Sequence, residues 1–166
     1  MHSFLNKAAI ASVALLLVTG CAGESGYGSM SGGGASAEVI SELKNQVGDT
    51  IFYEFDSSAL TVEAKTVLDR QADFMKKYSD ISVEVEGHCD ERGPADYNLA
   101  LGERRANVAS KYIQSMGIDA VRLSTQSYGK ERPAVEGHDE AAWSANRRAV
   151  TVIKGGDMSS ENGENS

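Results

Sequence analysis

Alternating hydrophobic and polar residues predict the strands of this chain. The segment Ser82-Val83-Glu84-Val85-Glu86 alternates strictly, and alternation over this length is typical of a strand with one buried face. A second hydrophobic run, Thr50-Ile51-Phe52-Tyr53-Glu54-Phe55, places Ile51, Tyr53 and Phe55 on one face. The predicted strands are 50–55, 81–88, 123–127 and 149–153.

Helical spacing of hydrophobic residues fills the gaps between these strands. The predicted helices are 37–47 before Gly48, about 62–77 after the N-cap Thr61, about 94–116 before Gly117, and a short helix from Asp139 through Trp143. The order β-α-β-α-β-β predicts an α+β fold in which two long helices pack on one face of a mixed four-stranded sheet. We assign residues 37–154 to this domain.

The first 36 residues have a different character. Lys7 precedes an apolar run at 8–18, which is too short for a membrane span and suits a signal peptide. The run ends in Leu17-Val18-Thr19-Gly20-Cys21, which resembles a bacterial lipobox, so residues 1–20 are a predicted signal peptide and Cys21 a predicted lipidation site. Six Gly and four Ser at 22–36 predict a flexible tether.

Composition and charge limit the classes of partner that this chain can bind. The formal net charge is −8, and removal of residues 1–20 takes away one lysine and no acidic residue. A chain this acidic is a poor nucleic-acid binder, because phosphate binding needs basic surface. Lipid at Cys21 predicts anchoring in a bacterial membrane, and Ala22 favours the outer one by resemblance to sorting rules. Residues 155–166 predict a disordered tail.

One helical face contains an unusual residue. Leu101, Arg105, Val108 and Tyr112 share a face of the second long helix by their spacing, and that face is expected to be buried. A buried arginine needs an anionic partner, since an unpaired buried charge is costly. The partner is either an internal carboxylate or a ligand.

Two aspartates are placed to meet this arginine. Asp56 and Asp90 each follow the end of a predicted strand, and loops that leave neighbouring strands at one edge converge. A carboxylate and a guanidinium close together suit a zwitterion, in which Asp binds an ammonium and Arg binds a carboxylate bidentately. The alternative is an internal Asp90–Arg105 salt bridge that only orients the loop. Arg147 and Arg148 are either a solvated basic pair or a second anion contact.

The same region contains residues that suggest catalysis or metal binding. His88 and Cys89 are adjacent on a strand and therefore point to opposite faces, so they cannot act together on one substrate. His138 is the other histidine outside the signal peptide, and zinc sites need three or four ligands at recognisable spacing. We expect no enzyme activity, no metal and no cofactor. Cys89 is expected to be buried, with an intermolecular disulfide as the alternative.

The motifs in hand resemble the OmpA-like peptidoglycan-binding domains, and among them the peptidoglycan-associated lipoproteins of the Tol–Pal system. The matching blocks are 52–56, 85–93, 97–106, 127–133 and 137–150. They follow the family's order over about residues 50–153, and the lipobox and tether agree with them.

The resemblance implies non-covalent binding of the peptidoglycan stem peptide at its diaminopimelate residue, tethering of the outer membrane to the wall, and partnership with TolB and other Tol proteins. It assigns the binding positions to Phe55, Asp56, Asp90, Asn98, Leu101, Arg105 and Arg148. Cys89 is a departure, since the family commonly has Thr there, and a weaker hydrogen-bond partner at that position could lower affinity.

Two other functions stay open at this point. The same fold serves in paralogous lipoproteins of motor or secretion complexes, although the blocks at 128–133 and 137–141 favour the Tol–Pal member. A peptidoglycan hydrolase would need a nucleophile–base pair or a metal set, and the sequence supplies neither.

Overall fold

The structure is a computed structural model that describes residues 35–154. The predicted signal peptide, the lipidation of Cys21 and the tail at 155–166 lie outside these residues and stay predictions. Most of the predicted tether does so too, but its last two residues belong to the fold. Ala35 packs against the hydrophobic core, and the Ser36 hydroxyl accepts a hydrogen bond from the backbone N–H of Val39 as an N-cap.

The elements follow the predicted order. The helices are α1 (Ala37–Glu42), continued by a π-helical turn (Leu43–Val47), α2 (Val62–Lys77), α3 (Ala95–Ser115) and α4 (Glu140–Asn146), with a 3₁₀ turn at Ala120–Arg122. The strands are β1 (Thr50–Phe52), β2 (Ser82–His88), β3 (Leu123–Gly129) and β4 (Arg148–Lys154). The Thr61 and Asp139 side chains cap α2 and α4, as predicted.

The four strands form one mixed sheet in the order β1-β4-β2-β3. β4 runs antiparallel to β1 and β2, whereas β2 and β3 are parallel. The strands β1, β2 and β3 therefore run in the same direction, and the loops that follow them leave the same end of the sheet. The predicted α+β fold with a mixed four-stranded sheet is confirmed.

The core lies between one face of the sheet and the two long helices. Val83 and Val85 of β2 are buried there together with Leu68 of α2 and Ile113 of α3. Burial at alternate positions of β2 matches the alternation in the sequence. Over residues 35–154, none of the helices combines the length and hydrophobicity that a membrane crossing requires.

Helix α3 lies very close to β2 where two glycines, Gly87 and Gly102, face each other. A Cβ atom on Gly87 would lie 1.9 Å from the carbonyl oxygen of Gly102. Only a residue without a side chain fits this contact. The contact fixes the N-terminal half of α3 against the end of β2, and it thereby positions Arg105 of α3 near Asp90 of the loop that follows β2.

The first strand is shorter than predicted. It ends at Phe52 rather than Phe55, although the Tyr53 N–H still donates to the Arg147 carbonyl. The chain then turns, and Asp56 adopts a left-handed conformation with φ of 52°. This turn brings Phe55 and Asp56 over the end of the sheet instead of leaving them in it.

Candidate functional site

A cavity of about 320 Å³ opens at the end of the sheet where β1 and β2 finish. Its lining comes from the turn after β1, the loop between β2 and α3, and the first turns of α3. The lining residues are Phe55, Asp56, Cys89, Asp90, Arg92, Gly93, Pro94, Tyr97, Asn98, Leu101 and Arg105. Six of the seven residues predicted to bind a ligand therefore border one cavity.

Arg105 is the most deeply buried charged residue of this lining, with 1% of its surface exposed. Its guanidinium donates to three backbone carbonyls, those of Ser57 (2.8 Å), His88 (2.8 Å) and Glu54 (3.2 Å), and contacts the Cys89 sulfur at 3.4 Å. Burial lowers the pKa of the Arg105 guanidinium below its usual value.

These contacts exclude one of the two partners that the sequence left open for Arg105. The internal Asp90–Arg105 salt bridge is absent, since no carboxylate pairs with Arg105 in the part of the chain that the structure describes. The alternative of an internal carboxylate partner was wrong for a physical reason: carbonyl dipoles satisfy the N–H groups without neutralising the charge. The four contacts use four of the five guanidinium donors, so a single N–H on Nη2 remains for a ligand. The predicted bidentate contact from Arg105 does not fit this geometry.

Asp90 has different partners from those predicted. Its Oδ2 lies 2.7 Å from Nη2 of Arg92 and 3.5 Å from Nη1 of Arg147, while its Oδ1 accepts from both the backbone N–H and Nε of Arg92 at 3.1 Å. Burial alone would raise the pKa of the Asp90 carboxyl, but the Arg92 hydrogen bonds lower it below its ordinary value. Asp90 is therefore ionised and fully paired.

Arg92 lies between two aromatic rings. Its guanidinium carbon is 4.2 Å from the ring centroid of Phe55 and 4.0 Å from that of Trp143. The Trp143 indole N–H donates to Glu91 at 2.9 Å, and Nδ1 of His138 lies 2.8 Å from the same carboxylate. These contacts tie the loop after β2 to α4 and the segment before it.

The remaining predicted residues line the cavity in distinct ways. Phe55 is 61% exposed, and Asp56 accepts a hydrogen bond from the Tyr97 hydroxyl. The Asn98 amide donates to the carbonyls of Arg92 (2.7 Å) and Pro94 (3.2 Å), which shapes the loop, while Leu101 supplies apolar wall. Tyr97 was not predicted as a cavity residue, although its spacing of four residues from Leu101 places both on one side of α3.

Arg148 does not line this cavity. Its guanidinium donates to the Arg132 carbonyl at 3.1 Å, on the sheet face away from the helices. The neighbouring Arg147 lies beside Asp90, is 5% exposed, and donates to Glu140 and to the Tyr53 carbonyl. Strand parity could have indicated this, because Ala149 is buried towards the helices and Arg147 has the same parity. A binding role for Arg148 remains a prediction.

His88 and Cys89 face different surroundings, as the strand argument predicted. Cys89 is a buried free thiol at the cavity, as expected, and burial raises its pKa. His88 stacks on the Tyr128 ring at a centroid distance of 5.5 Å, and within the described residues neither of its ring nitrogens has a hydrogen-bond partner. The described residues contain no cluster of three or more His, Cys, Asp and Glu side chains suited to a metal ion.

Comparison with known proteins places this geometry in a family. The OmpA family model matches residues 52–148, which include both long helices and all of β2 and β3, but only the last residue of β1 and the first residue of β4. The chain belongs to the OmpA family. The cavity lining lies entirely within the matched residues.

Curated relatives of this OmpA-family chain share nearly its full length. It is 42% identical over 156 residues to the peptidoglycan-associated lipoprotein of Mesorhizobium japonicum, which covers 90% of this chain and 93% of the relative. It is 41% identical over 160 residues to the protein of the same name from Agrobacterium fabrum, with 92% and 90% covered.

Solved structures of OmpA-like domains agree with the fold. The crystal structure of the peptidoglycan-associated lipoprotein from Burkholderia pseudomallei has a TM-score of 0.64 at 33% identity, covering 66% of this chain and 95% of that one. The C-terminal domain of Helicobacter pylori MotB has a TM-score of 0.60 at 21% identity, covering 64% and 84%. The likeness to MotB shows the fold alone.

Proposed function

We propose that this chain is an outer-membrane lipoprotein whose folded domain binds peptidoglycan non-covalently in the cavity beside Arg105. The ligand group is the diaminopimelate residue of the stem peptide, whose side-chain end bears both an ammonium and a carboxylate. The chain is anchored by lipid at Cys21 and tethers the outer membrane to the wall as a member of the Tol–Pal system, with TolB as a partner.

The observation that carries this proposal is the unneutralised charge of Arg105. A guanidinium that is 1% exposed, and whose hydrogen-bond partners are three carbonyls and a thiol, creates a positive potential at the cavity wall. A carboxylate is the complementary group, and one N–H of Nη2 is left to donate to it. In this proposal, the ligand carboxylate is the anionic partner that the described side chains do not provide for Arg105.

The cavity also contains groups that suit the rest of such a ligand. The Asp90 carboxylate borders the cavity and would accept the ammonium, while Asp56, an exposed carboxylate with a single tyrosine partner, adds a second carboxylate to the lining. Phe55 and Leu101 give apolar walls for the aliphatic part of the side chain. The name shared by the curated relatives supports the same ligand class.

The proposed tethering role follows from two attachments, one to the outer membrane and one to the wall. Lipid at Cys21 would connect the chain to the membrane, and the Gly- and Ser-rich segment at 22–34 would give it reach to the wall. Two linked reversible attachments hold membrane and wall together more firmly than either attachment alone.

The test is a pulldown of residues 22–166, which lack the lipidated cysteine, with purified diaminopimelate-type peptidoglycan. Arg105→Lys keeps a cation but loses the fork of donors, and we expect binding to fall by about tenfold or more. Arg104→Ala, an exposed arginine one residue away on α3, is the matched control and should bind like wild type.

Two outcomes would contradict the proposal. If Arg105→Lys has the thermal stability of wild type and still sediments equally well with the wall, the cavity is not the binding site. Release of soluble wall fragments by the wild-type chain would instead indicate a hydrolase.

A further inference from the structure

Asp90 is occupied before any ligand arrives. It is 5% exposed and borders the cavity, yet three of its hydrogen bonds come from Arg92, at 3.1, 3.1 and 2.7 Å. Nη1 of Arg147 lies 3.5 Å from Oδ2 and is a buried nitrogen without a hydrogen-bond partner in the described residues. Both carboxylate oxygens are therefore engaged by cations.

Arg92 is also bound independently of Asp90. Its guanidinium stacks between the rings of Phe55 and Trp143, at 4.2 and 4.0 Å from their centroids. Cation–π contacts of this kind do not need a carboxylate. Arg92 can therefore leave Asp90 and keep an aromatic contact within the same site.

We propose that Arg92 is an internal competitor for Asp90, which the ammonium group of the ligand has to displace when it binds. This inference rests on the proposed peptidoglycan binding and adds a residue that sets its affinity. Arg92 occupies both carboxylate oxygens through Nε and Nη2, so an ammonium can pair fully with Asp90 only after the Arg92 guanidinium has withdrawn. In the structure, Asp90 is occupied by Arg92 of the same chain, an arrangement that we call self-occupation.

The aromatic contacts make the displacement measurable. The chain contains one tryptophan, Trp143, and its ring lies directly on the guanidinium that has to move. Ligand binding should change the emission of Trp143, although Trp143 itself does not line the cavity. In a chain without the Arg92 cation, the same ligand should bind with a much smaller change.

The experiment measures calorimetric affinities of residues 22–166 for two soluble stem peptides, one with diaminopimelate and one with lysine in its place. The lysine peptide has the ammonium but lacks the neighbouring carboxylate. In Arg92→Gln, both peptides should bind about tenfold more tightly and by a similar factor, since each displaces the same guanidinium. Lys111→Gln, an exposed lysine further along α3, makes the same charge change and should leave both affinities unaltered.

The alternative is that Arg92 contacts the ligand carboxylate directly. In that case Arg92→Gln weakens the diaminopimelate peptide and leaves the lysine peptide unchanged, which overturns the proposal. Unchanged affinity for both peptides overturns it as well. If Arg92→Gln does not fold, Arg92→Lys replaces it, and a smaller gain of about threefold is expected because an ammonium cannot pair bidentately.

Failure of the proposed function gives a different pattern. If neither peptide binds to wild type or to any folded Arg92 variant, both ideas fall. If wild type binds neither peptide but Arg92→Gln binds both, self-occupation is correct and the affinity assumed for the wild-type site is wrong.

Discussion

Two arginines at opposite ends of the domain each donate hydrogen bonds to three backbone carbonyls, but their surroundings differ. Arg105, at the cavity end, donates to the carbonyls of Glu54, Ser57 and His88. Arg122, at the other end, donates to those of Met75, Tyr78 and Ile81. Each guanidinium joins the end of a helix or strand to its neighbour, as a side-chain cap does.

Arg105 and Arg122 differ in their exposure to solvent and in the shape of the surface beside them. Arg122 is partly exposed, so water screens its charge, whereas Arg105 is buried and borders a cavity of about 320 Å³. Carbonyl hydrogen bonds alone therefore indicate a structural arginine. Arg105 differs from Arg122 in its burial next to an open cavity, without a carboxylate partner in the part of the chain that the structure describes.

The largest expected effect comes from forcing the cavity end apart. In Gly87→Ala the new Cβ would lie 1.9 Å from the Gly102 carbonyl oxygen, and two backbones would have to separate. We expect the free energy of unfolding to fall by about 4 kcal/mol, measured by urea denaturation. At the far end, Gly117→Ala meets no atom within 4 Å and is strained only by its φ of 94°, so it should cost about 1 kcal/mol. Equal losses in the free energy of unfolding would show that the two ends of the domain tolerate an added side chain equally well.

Truncating the two arginines tests the comparison directly. Arg105→Ala removes a charged donor from three backbone carbonyls, of which that of His88 is buried, and we expect a loss of about 3 kcal/mol in the free energy of unfolding. Arg122→Ala exposes its carbonyls to water and should lose about 1.5 kcal/mol, with wall binding unchanged. Denaturation and pulldown of the same samples check both values. A larger loss for Arg122→Ala would reverse the interpretation.

Acid should weaken the cavity end through His88. Burial, with Arg148 and Arg132 nearby, lowers the pKa of His88 to about 4, against an ordinary value of 6.5, and it outweighs the Glu86 carboxylate that lies 3.5 Å from Nε2. The folded state thus favours the neutral ring, and the stability it contributes is present above pH 6.5 and is lost as the pH falls towards 4. We expect a decrease of about 2 kcal/mol over this interval.

The matched variant is His88→Phe, which keeps a ring on Tyr128 and removes the proton-binding nitrogens. Denaturation at several pH values should show a flatter profile for the variant than for wild type. Identical profiles would mean that carboxylates alone produce the acid sensitivity.

Hydrophobic periodicity predicted the fold because each element buries one regular face. The N-cap Thr61 and the C-terminal Gly117 marked helix ends through local chemistry that does not depend on the rest of the chain. Strand β1 was predicted three residues too long, because its alternation continues through Phe55 while the backbone turns at Asp56. Side-chain patterns do not encode such a turn.

The site was predicted less completely. Strand ends and helix spacing brought Asp56, Asp90 and Arg105 together, and the cavity includes all three. The pairing of Asp90 with Arg92 was missed, because two residues of one loop give no periodic signal. The choice between Arg147 and Arg148 depended on strand parity, which places Arg147 beside Asp90 and leaves Arg148 outside the cavity.

The common direction of β1, β2 and β3 has a mechanical consequence. Helix α1 lies at the end opposite the cavity, where Glu42 bonds to Lys77 and Tyr78 at the C-terminal end of α2. Tension applied between the start of the domain and a ligand in the cavity would run along the strands. The hydrogen bonds that join β4 to β1 and β2 would then be loaded in shear and would share the force. A force at right angles to the strands would instead break the same bonds one after another.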